Sequence, residues 1–575
     1  MLRVTGDCFT IAEPFLPSAS PTTPFMNPTL FTSVADASRT RRLAAATGAG
    51  LLLAALTACV CWPGIHGFWG RDDYAQLALV RMLDSPWALF VHDHYIEPGS
   101  VFRPLGFASM WLGARLFGSD YAAHAMADIG LHALVVLTLF GVLRAADVPR
   151  LAALVCTLLF ALHPAVTGTV MWWSARFDLL STLFILLALL AAQTWRRRSR
   201  WPSLVLAAAA MLAAMLSKEI GLVAVPAAIL LWLHAAWREP GWRSRAWCGC
   251  IVAISCALVF LLWRWAVLGT LSSNLTGSLP MDEAIVRGLS VWLHQAPGYL
   301  SFWSRLGGVQ RAGLLLAGVA VAASLVAARP GYRDGRALEL TGMGLCLLLL
   351  PALLQAPVTA MNAIALHAGF SAVEAAMQSR LYYLGMAGVA MVLAAILMVA
   401  WRQPARLPRR VGLAAVFVAV LAFAVQSHSE ARGFAQRSWS IATVARAASL
   451  AVSGLDLPPA PCHVALTGIE PPPEWGGFVS ADSIIKALAP DLARVDHCWF
   501  HANYRTGFYL LRAPVTVADA APYLPWRRDG RELAWRHIGD VVIALLGPTS
   551  DVDPHKAQLV LHYRRGRFVP EAPHN

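Results

Sequence analysis

Charged residues are scarce in this chain of 575 residues. Asp, Glu, Lys and Arg together make up 14% of it, whereas apolar residues make up 57%. Soluble globular domains carry roughly 25% charged residues. The shortage of charge therefore excludes a water-soluble globule and indicates a protein that crosses a membrane several times.

Several motifs of common chemistries are absent as well. The sequence has no P-loop, no GxGxxG after an expected strand, no CxxC pair and no HExxH. Nucleotide hydrolysis and a structural zinc site therefore have no support. The formal net charge of +13 could suggest nucleic acid, but the arginines stand in short clusters between apolar runs, where the positive-inside rule places them. We expect no nucleic-acid partner.

Apolar runs long enough to cross a membrane recur along the chain. They predict an all-α polytopic membrane protein of about 11 transmembrane helices. Their centres lie near residues 52, 133, 157, 187, 210, 228, 258, 320, 347, 392 and 420. We expect this membrane domain to cover residues 43–430. Residues 1–42 are rich in Pro, Ser and Thr and predict a disordered cytoplasmic tail.

Residues 431–575 have a different pattern. The short apolar runs "CHVALTGI", "DVVIALLG" and "AQLVLHY" alternate with polar segments and with the helical stretch "ADSIIKALAPDLA". This pattern predicts a small α/β domain. The domain contains Cys462 and Cys498. An oxidising compartment would permit a disulfide between them, and two unpaired structural cysteines are the alternative.

Arginine clusters occupy alternate connections between the apolar runs. The clusters fall within residues 39–42, 144–150, 196–200, 238–245, 329–336 and 402–410. The positive-inside rule places such clusters in the cytoplasm. The sequence therefore predicts a multi-pass protein of the cytoplasmic (inner) membrane, with a cytoplasmic N-terminus and an extracytoplasmic C-terminal domain.

The other connections carry most of the polar motifs. They contain "GRDDY", "HDHYIEPGSVFRPL", "HPAVTGTVMWWSARFDLL", "SKEIG" and "QSRLYYLG". Nearly every acidic residue of the membrane part is expected on this outer side. Ionisable groups at membrane depth are costly and commonly functional. These loops are therefore expected to converge on one polar site.

Two chemical roles suit such a site. A carboxylate, Asp72 or Asp73, could accept the proton of an attacking hydroxyl, and nearby cations could neutralise a departing phosphate. Adjacent carboxylates repel each other, so one of the pair would hold its proton more tightly. These parts suit sugar transfer from a lipid-linked phosphate, because the membrane supplies that donor without a nucleotide site.

Each motif also has a structural interpretation. The acidic pair could cap a helix or form an ion pair. His163, which precedes a proline, could end a helix. Lys218 and Glu219 could form a neighbouring salt bridge. The functional interpretation depends on the joint occurrence of these motifs on one side.

The order of the motifs "DDY", "FRPL", "LHPAVTGTVMWWSARFDLL", "LSKEIGLVAVP" and "SRLYYLGMAG" resembles the polytopic GT-C-fold glycosyltransferases. Within them it is most similar to the protein O-mannosyltransferase-like group, which includes the transmembrane-and-TPR mannosyltransferases. The resemblance covers residues 60–390. It implies an inverting enzyme that transfers a sugar, with mannose as a candidate, from a polyprenyl-phosphate donor in the membrane lipids to a hydroxyl of a protein, lipid or glycan acceptor.

The resemblance also implies roles for individual residues. The catalytic base falls on Asp72 or Asp73, with Asp72 preferred because the related motif places the base first. The residues that would bind the lipid phosphate or shape the pocket are Arg103, His163, Arg176, Asp178, Lys218, Glu219 and Arg380. No cofactor is certain, and a divalent metal could assist. The C-terminal segment shows no 34-residue TPR period, so its α/β domain is the candidate for acceptor recognition.

The main alternative is a non-enzymatic polytopic transporter or lipid-sugar flippase. Such a protein should carry polar residues along the middles of its helices and an inverted repeat. The charges of this sequence cluster instead at the outer ends of the apolar runs. This distribution favours an enzyme.

The topology can be tested with reporter domains fused after residues 200 and 440. We expect the two fusions to report opposite sides of the membrane, because an odd number of predicted spans separates these positions. A fusion after residue 240, in another arginine cluster, is the control and should agree with the fusion after residue 200. Matching signals from the fusions after residues 200 and 440 would contradict the predicted outer site.

Overall fold

The structure is a computed structural model. It describes residues 47–95, 99–271, 280–301, 335–357, 359–360, 379–402, 406–469, 480–502, 507–512, 527–528, 531–532, 535–546 and 557–571. The chain forms two compact units, Met1–Leu51 and Leu52–Asn575. All contacts given below lie within the second unit. The predicted tail, residues 1–42, lies outside the described residues.

Helices dominate the described part of the chain. In chain order they are Thr47–His66, Asp72–Met82, Ala88–Val91, Pro104–Phe117, Tyr121–Ala145, Arg150–Ala161, Pro164–Met171, Arg176–Arg198, Trp201–Ser217, Ala224–Arg238, Arg243–Leu268, Met281–Ser301, Gly335–Leu354, Tyr383–Arg402, Arg406–Ile441, Thr443–Ser453 and Ala481–Leu488. Short 3-10 turns cover Trp62–His66, Trp173–Ala175, Glu219–Val223, Pro240–Trp242, Ser379–Tyr382 and Leu492–Arg494.

Within the described residues, eight helices are long and apolar enough to cross a membrane. The pair Arg150–Ala161 and Pro164–Met171, bent by 57°, makes a ninth if it is counted as one span. The predicted multi-pass, mostly helical architecture is confirmed. The predicted run near residue 320 lies outside the described residues, and the run near residue 210 forms the shorter apolar helix Trp201–Ser217. The structure therefore does not confirm the count of 11.

The bend between the helices Arg150–Ala161 and Pro164–Met171 arises at His163 and Pro164. Pro164 has no N–H to continue the first helix and occupies the first turn of the next. The His163 Nδ1 atom accepts a hydrogen bond from the Ala165 N–H at 3.0 Å and so caps that second helix. The structural interpretation of His163, that it marks a helix end, matches this geometry.

Small residues let two of the spans approach closely. Gly344 and Gly388 face each other where Gly335–Leu354 crosses Tyr383–Arg402, and a Cβ atom on Gly388 would collide with the Gly344 carbonyl oxygen. Such glycine contacts are typical of helix pairs in membranes, where close van der Waals packing drives association.

The described members of the arginine clusters, among them Arg196, Arg197 and Arg336, lie at the end of the bundle opposite the polar motifs. In the helix Arg176–Arg198, Asp178 and Arg196 are separated by about 27 Å of helix at 1.5 Å per residue. At the arginine-rich end, the Arg197 guanidinium pairs with Asp147 at 2.7 Å, and Arg336 pairs with the same carboxylate. The two ends therefore differ in chemistry, as the sequence predicts.

One expectation about this end is wrong. Nearly every acidic residue of the membrane part was expected on the other side, but Asp147, Glu239 and Glu339 lie among the arginines. Arg196 contacts Glu239 at 3.6 Å and also pairs with Glu339. Arginines at membrane depth need opposite charges to offset their desolvation, and these three acids supply them.

The C-terminal segment contains the predicted α/β structure. A four-stranded sheet has the order Cys498–Ala502, Cys462–Thr467, Leu559–Arg564 and Arg567–Pro570. Its first three strands are parallel and the last is antiparallel. A second, antiparallel sheet has the order Gly507–Arg512, Val541–Leu546 and Trp535–Ile538, and a short ribbon joins Arg527–Arg528 to Arg531–Glu532. Ser480 caps the helix Ala481–Leu488 through a reciprocal bond with Ser483.

The two cysteines of this segment face each other across neighbouring strands. Cys462 and Cys498 are register partners in the parallel pair, and their Cα atoms are 4.3 Å apart. The structure joins their sulfur atoms in a disulfide that closes 36 residues of chain. The sequence leaves open a disulfide or two unpaired cysteines, and the structure has the disulfide.

The boundary expected at residue 430 is not a structural break. The helix Arg406–Ile441 runs through it without interruption. Beyond it, Ile484, Leu510 and Ile543 share one hydrophobic core with Trp69 and Tyr74 of the first outer loop. The sequence becomes more polar near residue 430, where the helix Arg406–Ile441 leaves its apolar surroundings. The helix itself continues to Ile441, so the change in composition does not mark a domain boundary.

Three arginine contacts attach the C-terminal segment to the first outer loop. The Arg81 guanidinium donates to the carbonyl oxygens of Ala487 at 2.7 Å and Ala489 at 2.8 Å, at the C-terminal end of Ala481–Leu488. A cation is favourable there because helix dipoles leave negative charge at that end. Arg536 pairs with Asp93 at 2.8 Å, and Arg512 with Asp84 at 2.7 Å. The α/β region thereby fixes the loop that carries the acidic pair.

Candidate functional site

Several distant segments meet at the end of the bundle opposite the arginine clusters. The Ser174 N–H donates to Asp73 at 2.9 Å, and the Phe102 N–H donates to Glu219 at 3.1 Å. The Tyr121 hydroxyl donates to the Met171 carbonyl oxygen at 2.9 Å. These bonds bring together the outer connections that the sequence predicts to converge.

Asp73 is buried and its oxygens are already occupied. Its side chain, 2% exposed, accepts hydrogen bonds from the Gly70 N–H at 3.0 Å and from the N–H and hydroxyl of Ser174. Burial raises the pKa of Asp73 to about 7, and the hydrogen bonds from Ser174 and Gly70 oppose that rise. Asp73 therefore joins the first outer loop to Ser174 in the motif "HPAVTGTVMWWSARFDLL". These hydrogen bonds are structural contacts.

Asp72 lies in a different environment from its neighbour. Its side chain is half-buried, and in the described part of the chain it makes no hydrogen bond or ion pair. Its charge attracts the Arg380 guanidinium. Arg71, directly before the pair, has a φ of +48°, a conformation uncommon for residues other than glycine. The two adjacent carboxylates thus have different surroundings, and among the described residues only the oxygens of Asp73 accept hydrogen bonds.

Arg103 and Glu219 belong to a three-residue ion cluster. The Arg103 Nε–H donates to Glu219 at 2.9 Å, and Arg264 donates to the other carboxylate oxygen at 3.2 Å. Burial opposes the charged form of Arg103, but Glu219, Tyr95 and Asp178 together outweigh it, so the pKa of that guanidinium is raised. Arg264 also donates to the Ser100 carbonyl oxygen at 3.1 Å. The cluster therefore attaches residues 100–103 to the spans Glu219–Arg238 and Pro240–Leu268.

Lys218 and Asp178 form a buried ion pair of 2.5 Å. Burial lowers the pKa of Lys218 to about 8, Asp178 acts against this, and the nearby positive charges of Arg103 and Arg380 add to the lowering. Three cations therefore stand close together here. That concentration of positive charge suits an anionic ligand.

Arg380 is the cation of this group with capacity for a ligand. Its guanidinium lies over the Trp172 ring, 4.3 Å from the centroid, a cation–π contact. Asp178 and Asp72 both attract it, but among the described residues it forms no ion pair. The Tyr95 phenol also acts electrostatically on Arg380 and on Arg103.

Two predicted site residues have other partners. The Arg176 Nε–H donates to Asp128 at 2.6 Å, and its terminal nitrogens donate to the carbonyl oxygens of Ser109 and His124. The ring of His163 caps a helix and packs against Phe423 at 4.3 Å between centroids. These contacts give both residues positions in the framework of the site and do not place them beside Asp72.

Sequence reasoning missed Asp128, Arg264 and Tyr95. Asp128 and Arg264 each stand inside an apolar span, and an ionisable residue in such a run is itself a signal of a buried partner. Tyr95 belongs to the polar stretch "HDHYIEPGSVFRPL", in which Arg103 was singled out. The partners could not be read from the sequence because they come from distant segments.

Within the described residues, the carboxylates of this site do not form a group of three that could share a metal ion. Among the described residues, the group close enough to share an ion is Cys462, His497 and Cys498. The two sulfur atoms of that group are bonded to each other. No such group in the described chain includes Asp72 or Asp178, and Asp178 is already paired with Lys218.

No family model matches the chain. A curated relative, the protein O-mannosyl-transferase Tmtc1 of Drosophila melanogaster, is 32% identical over 124 residues, which is 22% of this chain. The match spans 14% of that relative's length. By its name, the relative belongs to the group that the motif order resembles.

Several solved structures are similar to this one at low sequence identity. ArnT from Cupriavidus metallidurans, solved with undecaprenyl phosphate, has 15% identity and a TM-score of 0.43 over 87% of this chain and 98% of its own. The oligosaccharyltransferase of Archaeoglobus fulgidus has 13% identity and a TM-score of 0.42 over 77% and 62%. Arabinosyltransferase EmbB of Mycobacterium smegmatis has 12% identity and a TM-score of 0.36 over 91% and 59%.

Replacement of Asp73 by Asn should change how stability depends on pH. Because the folded pKa is raised to about 7, the folded protein binds this proton more tightly than the unfolded chain does. The resulting stability is complete below about pH 4 and is lost as the pH rises through 7. Thermal unfolding should show that Asp73→Asn gains stability relative to the wild type as the pH rises from about 4 to 7, by up to about 1.4 kcal/mol per pH unit, and that the gain levels off above pH 7.

Ser174→Ala is the matched control for this experiment. It keeps the Asp73 carboxyl but removes a hydrogen-bond donor that favours the ionised form. The Ser174→Ala protein should therefore still lose stability as the pH rises, and the loss should extend to a higher pH than in the wild type, because the pKa of Asp73 rises further. A difference between wild type and Asp73→Asn that stays constant with pH would contradict the buried, proton-binding state of Asp73.

Proposed function

We propose that this chain is an integral membrane glycosyltransferase of the GT-C type. It transfers a sugar from a polyprenyl-phosphate donor to an acceptor hydroxyl, at the extracytoplasmic face of the cytoplasmic (inner) membrane. The observation that carries the proposal is the juxtaposition of Asp72, a carboxylate with unused oxygens, and Arg380, a guanidinium without an ion-pair partner in the described chain. The aligned mannosyltransferase segment supports mannose as the sugar.

Asp72 acts as the general base in this proposal. It takes the proton from the acceptor hydroxyl while that oxygen attacks the anomeric carbon, and the bond between that carbon and the phosphate oxygen breaks. Attack from the face opposite the phosphate inverts the anomeric centre. A half-buried carboxylate at the start of the short helix Asp72–Met82, just after the span Thr47–His66, is accessible to an acceptor and still close to a donor held in the membrane.

The cations stabilise the leaving phosphate. Arg380 contacts it directly, and Lys218 and Arg103 add positive charge behind it. Negative charge on the phosphate grows as the glycosidic bond breaks, so fixed cations lower the barrier more than they strengthen donor binding. Asp178 holds Lys218 at 2.5 Å, and Glu219 holds Arg103 at 2.9 Å. These two acids keep the cations in place.

A lipid-linked donor fits the location of the cluster. The charged residues lie where the spans end, at the depth where a polyprenyl phosphate presents its head group. The donor can enter laterally from the membrane, and the sequence lacks the motifs of a nucleotide site. A transporter or flippase is the alternative function, and it would move a lipid-linked sugar without breaking the bond to phosphate.

Replacement of Asp72 by Asn should abolish most of the activity. Asn keeps the size of the side chain but cannot accept the proton, and the loss of a general base typically costs about 10² to 10⁴ in rate. Turnover with a polyprenyl-phosphate sugar should fall by this factor, while folding and membrane insertion stay intact. The measurement is transfer of sugar to acceptor by purified protein at saturating donor.

Asp120→Asn provides the matched control. Asp120 caps the helix Tyr121–Ala145 at the same end of the bundle by accepting from the N–H groups of Ala122 and Ala123. Asn caps a helix about as well as Asp, so this variant should keep its turnover. Equal turnover in wild type and Asp72→Asn would remove Asp72 from the mechanism.

Replacement of Arg380 by Gln tests the phosphate contact. Loss of a charge-assisted hydrogen bond costs about 1.5–3 kcal/mol, so kcat/KM for the donor should fall about 10- to 150-fold. Inhibition by the product, polyprenyl phosphate, should weaken in parallel. Arg446→Gln is the control, because Arg446 also lies over a ring, that of Trp439 at 4.1 Å, but outside the cluster. Equal losses in both variants would show a general cation–π effect and contradict a phosphate contact.

A further inference from the structure

A cavity of about 200 Å³ lies at the arginine-rich end of the bundle, far from the candidate active site. We call it the arginine-end cavity. The polar residues that line it are Gln193, Arg196, Arg197, Glu239, Arg336 and Glu339, with Leu231 and Met343 among its apolar residues. They come from the three helices Arg176–Arg198, Ala224–Arg238 and Gly335–Leu354 and from Glu239, which directly follows the second.

Gln193 is the unusual member of this lining. Its side chain is 4% exposed, and neither its amide oxygen nor its amide nitrogen has a hydrogen-bond partner among the described residues. A buried amide without partners bears the full desolvation penalty of both groups. Because Gln193 lines a cavity, a ligand there that both donates and accepts hydrogen bonds would remove this penalty.

The walls of the cavity carry both signs of charge. Arg197 and Arg336 share Asp147, and their side chains are 44% and 53% exposed. Glu239 is 61% exposed and lies 3.6 Å from Arg196. A simple anion would be repelled by Glu239 and a simple cation by the arginines. A ligand with a negative and a positive group close together would match both.

We propose that the arginine-end cavity binds the head group of a zwitterionic aminophospholipid. The phosphate faces Arg197 and Arg336, the ammonium faces Glu239 and Glu339, and the Gln193 amide bonds to both parts of the head group. Leu231 and Met343 contact the start of the acyl region. The site faces the membrane leaflet at the arginine-rich end, so the lipid is available at high local concentration.

Native mass spectrometry of the full chain in detergent tests the lipid class. Phosphatidylethanolamine, phosphatidylglycerol and phosphatidylcholine with identical acyl chains are added separately. We expect at least about fivefold more retained phosphatidylethanolamine, because phosphatidylglycerol has no ammonium and phosphatidylcholine has no N–H to donate to carboxylates. Equal retention of the three lipids, or none, would overturn the proposal.

Two variants locate the binding in the cavity. Gln193→Leu removes the amide without emptying the space, and Glu239→Gln removes an exposed charge whose loss should not unfold the protein. Each should reduce retention of phosphatidylethanolamine about five- to tenfold. Ser181→Ala is the control, since Ser181 is also buried without a hydrogen-bond partner among the described residues but lies about 18 Å away along the same helix. Wild-type retention by Glu239→Gln and Gln193→Leu would contradict the assignment.

A water-filled cavity and a soluble ligand are the remaining outcomes. The volume would hold about six water molecules, and a cavity with water alone would show no lipid preference in any variant. Glycerophosphoethanolamine carries the same head group without acyl chains. We expect it to compete weakly with the lipid, whereas binding as tight as that of the whole lipid would overturn the membrane lipid as the ligand.

Discussion

A charge inside an apolar helix bundle is stable only beside an opposite charge, because desolvation otherwise costs more than any contact returns. Three ion pairs at the outer end meet this requirement: Arg176 with Asp128, Lys218 with Asp178, and Arg103 with Glu219. Each pair joins two segments that are distant in sequence. The pairs therefore hold these segments together, whereas Asp72 and Arg380 form no ion pair among the described residues.

The first outer loop is held from two sides. Asp73 bonds to Ser174 of the helix bundle, while Arg81 and Asp93 are bonded to the C-terminal α/β region. The position of Asp72 depends on both sets of contacts. The C-terminal region thus contributes to the proposed site through the loop that it supports.

The local features of the fold could be predicted from the sequence. Apolar runs, alternating arginine clusters and the pattern of "CHVALTGI" predict the spans and the strand Cys462–Thr467 because length and periodicity are local properties. The apolar run near residue 210 forms a shorter helix, the run near residue 320 lies outside the described residues, and the expected boundary at residue 430 falls inside a helix. The partners of buried charges, such as Asp128 for Arg176, depend on helix packing between distant segments. Sequence motifs therefore placed Arg176 with the phosphate ligands, whereas the structure pairs it with Asp128.

The most direct test of the proposed function is to identify what the protein releases from its donor. The purified chain is incubated with a panel of polyprenyl-phosphate sugars and hydroxyl acceptors, and the lipid products are analysed by mass spectrometry. The proposal predicts free polyprenyl phosphate in amounts equal to the glycosylated acceptor, from at least one donor sugar. Donors that remain intact with folded protein, or that only cross a vesicle membrane unchanged, would contradict it.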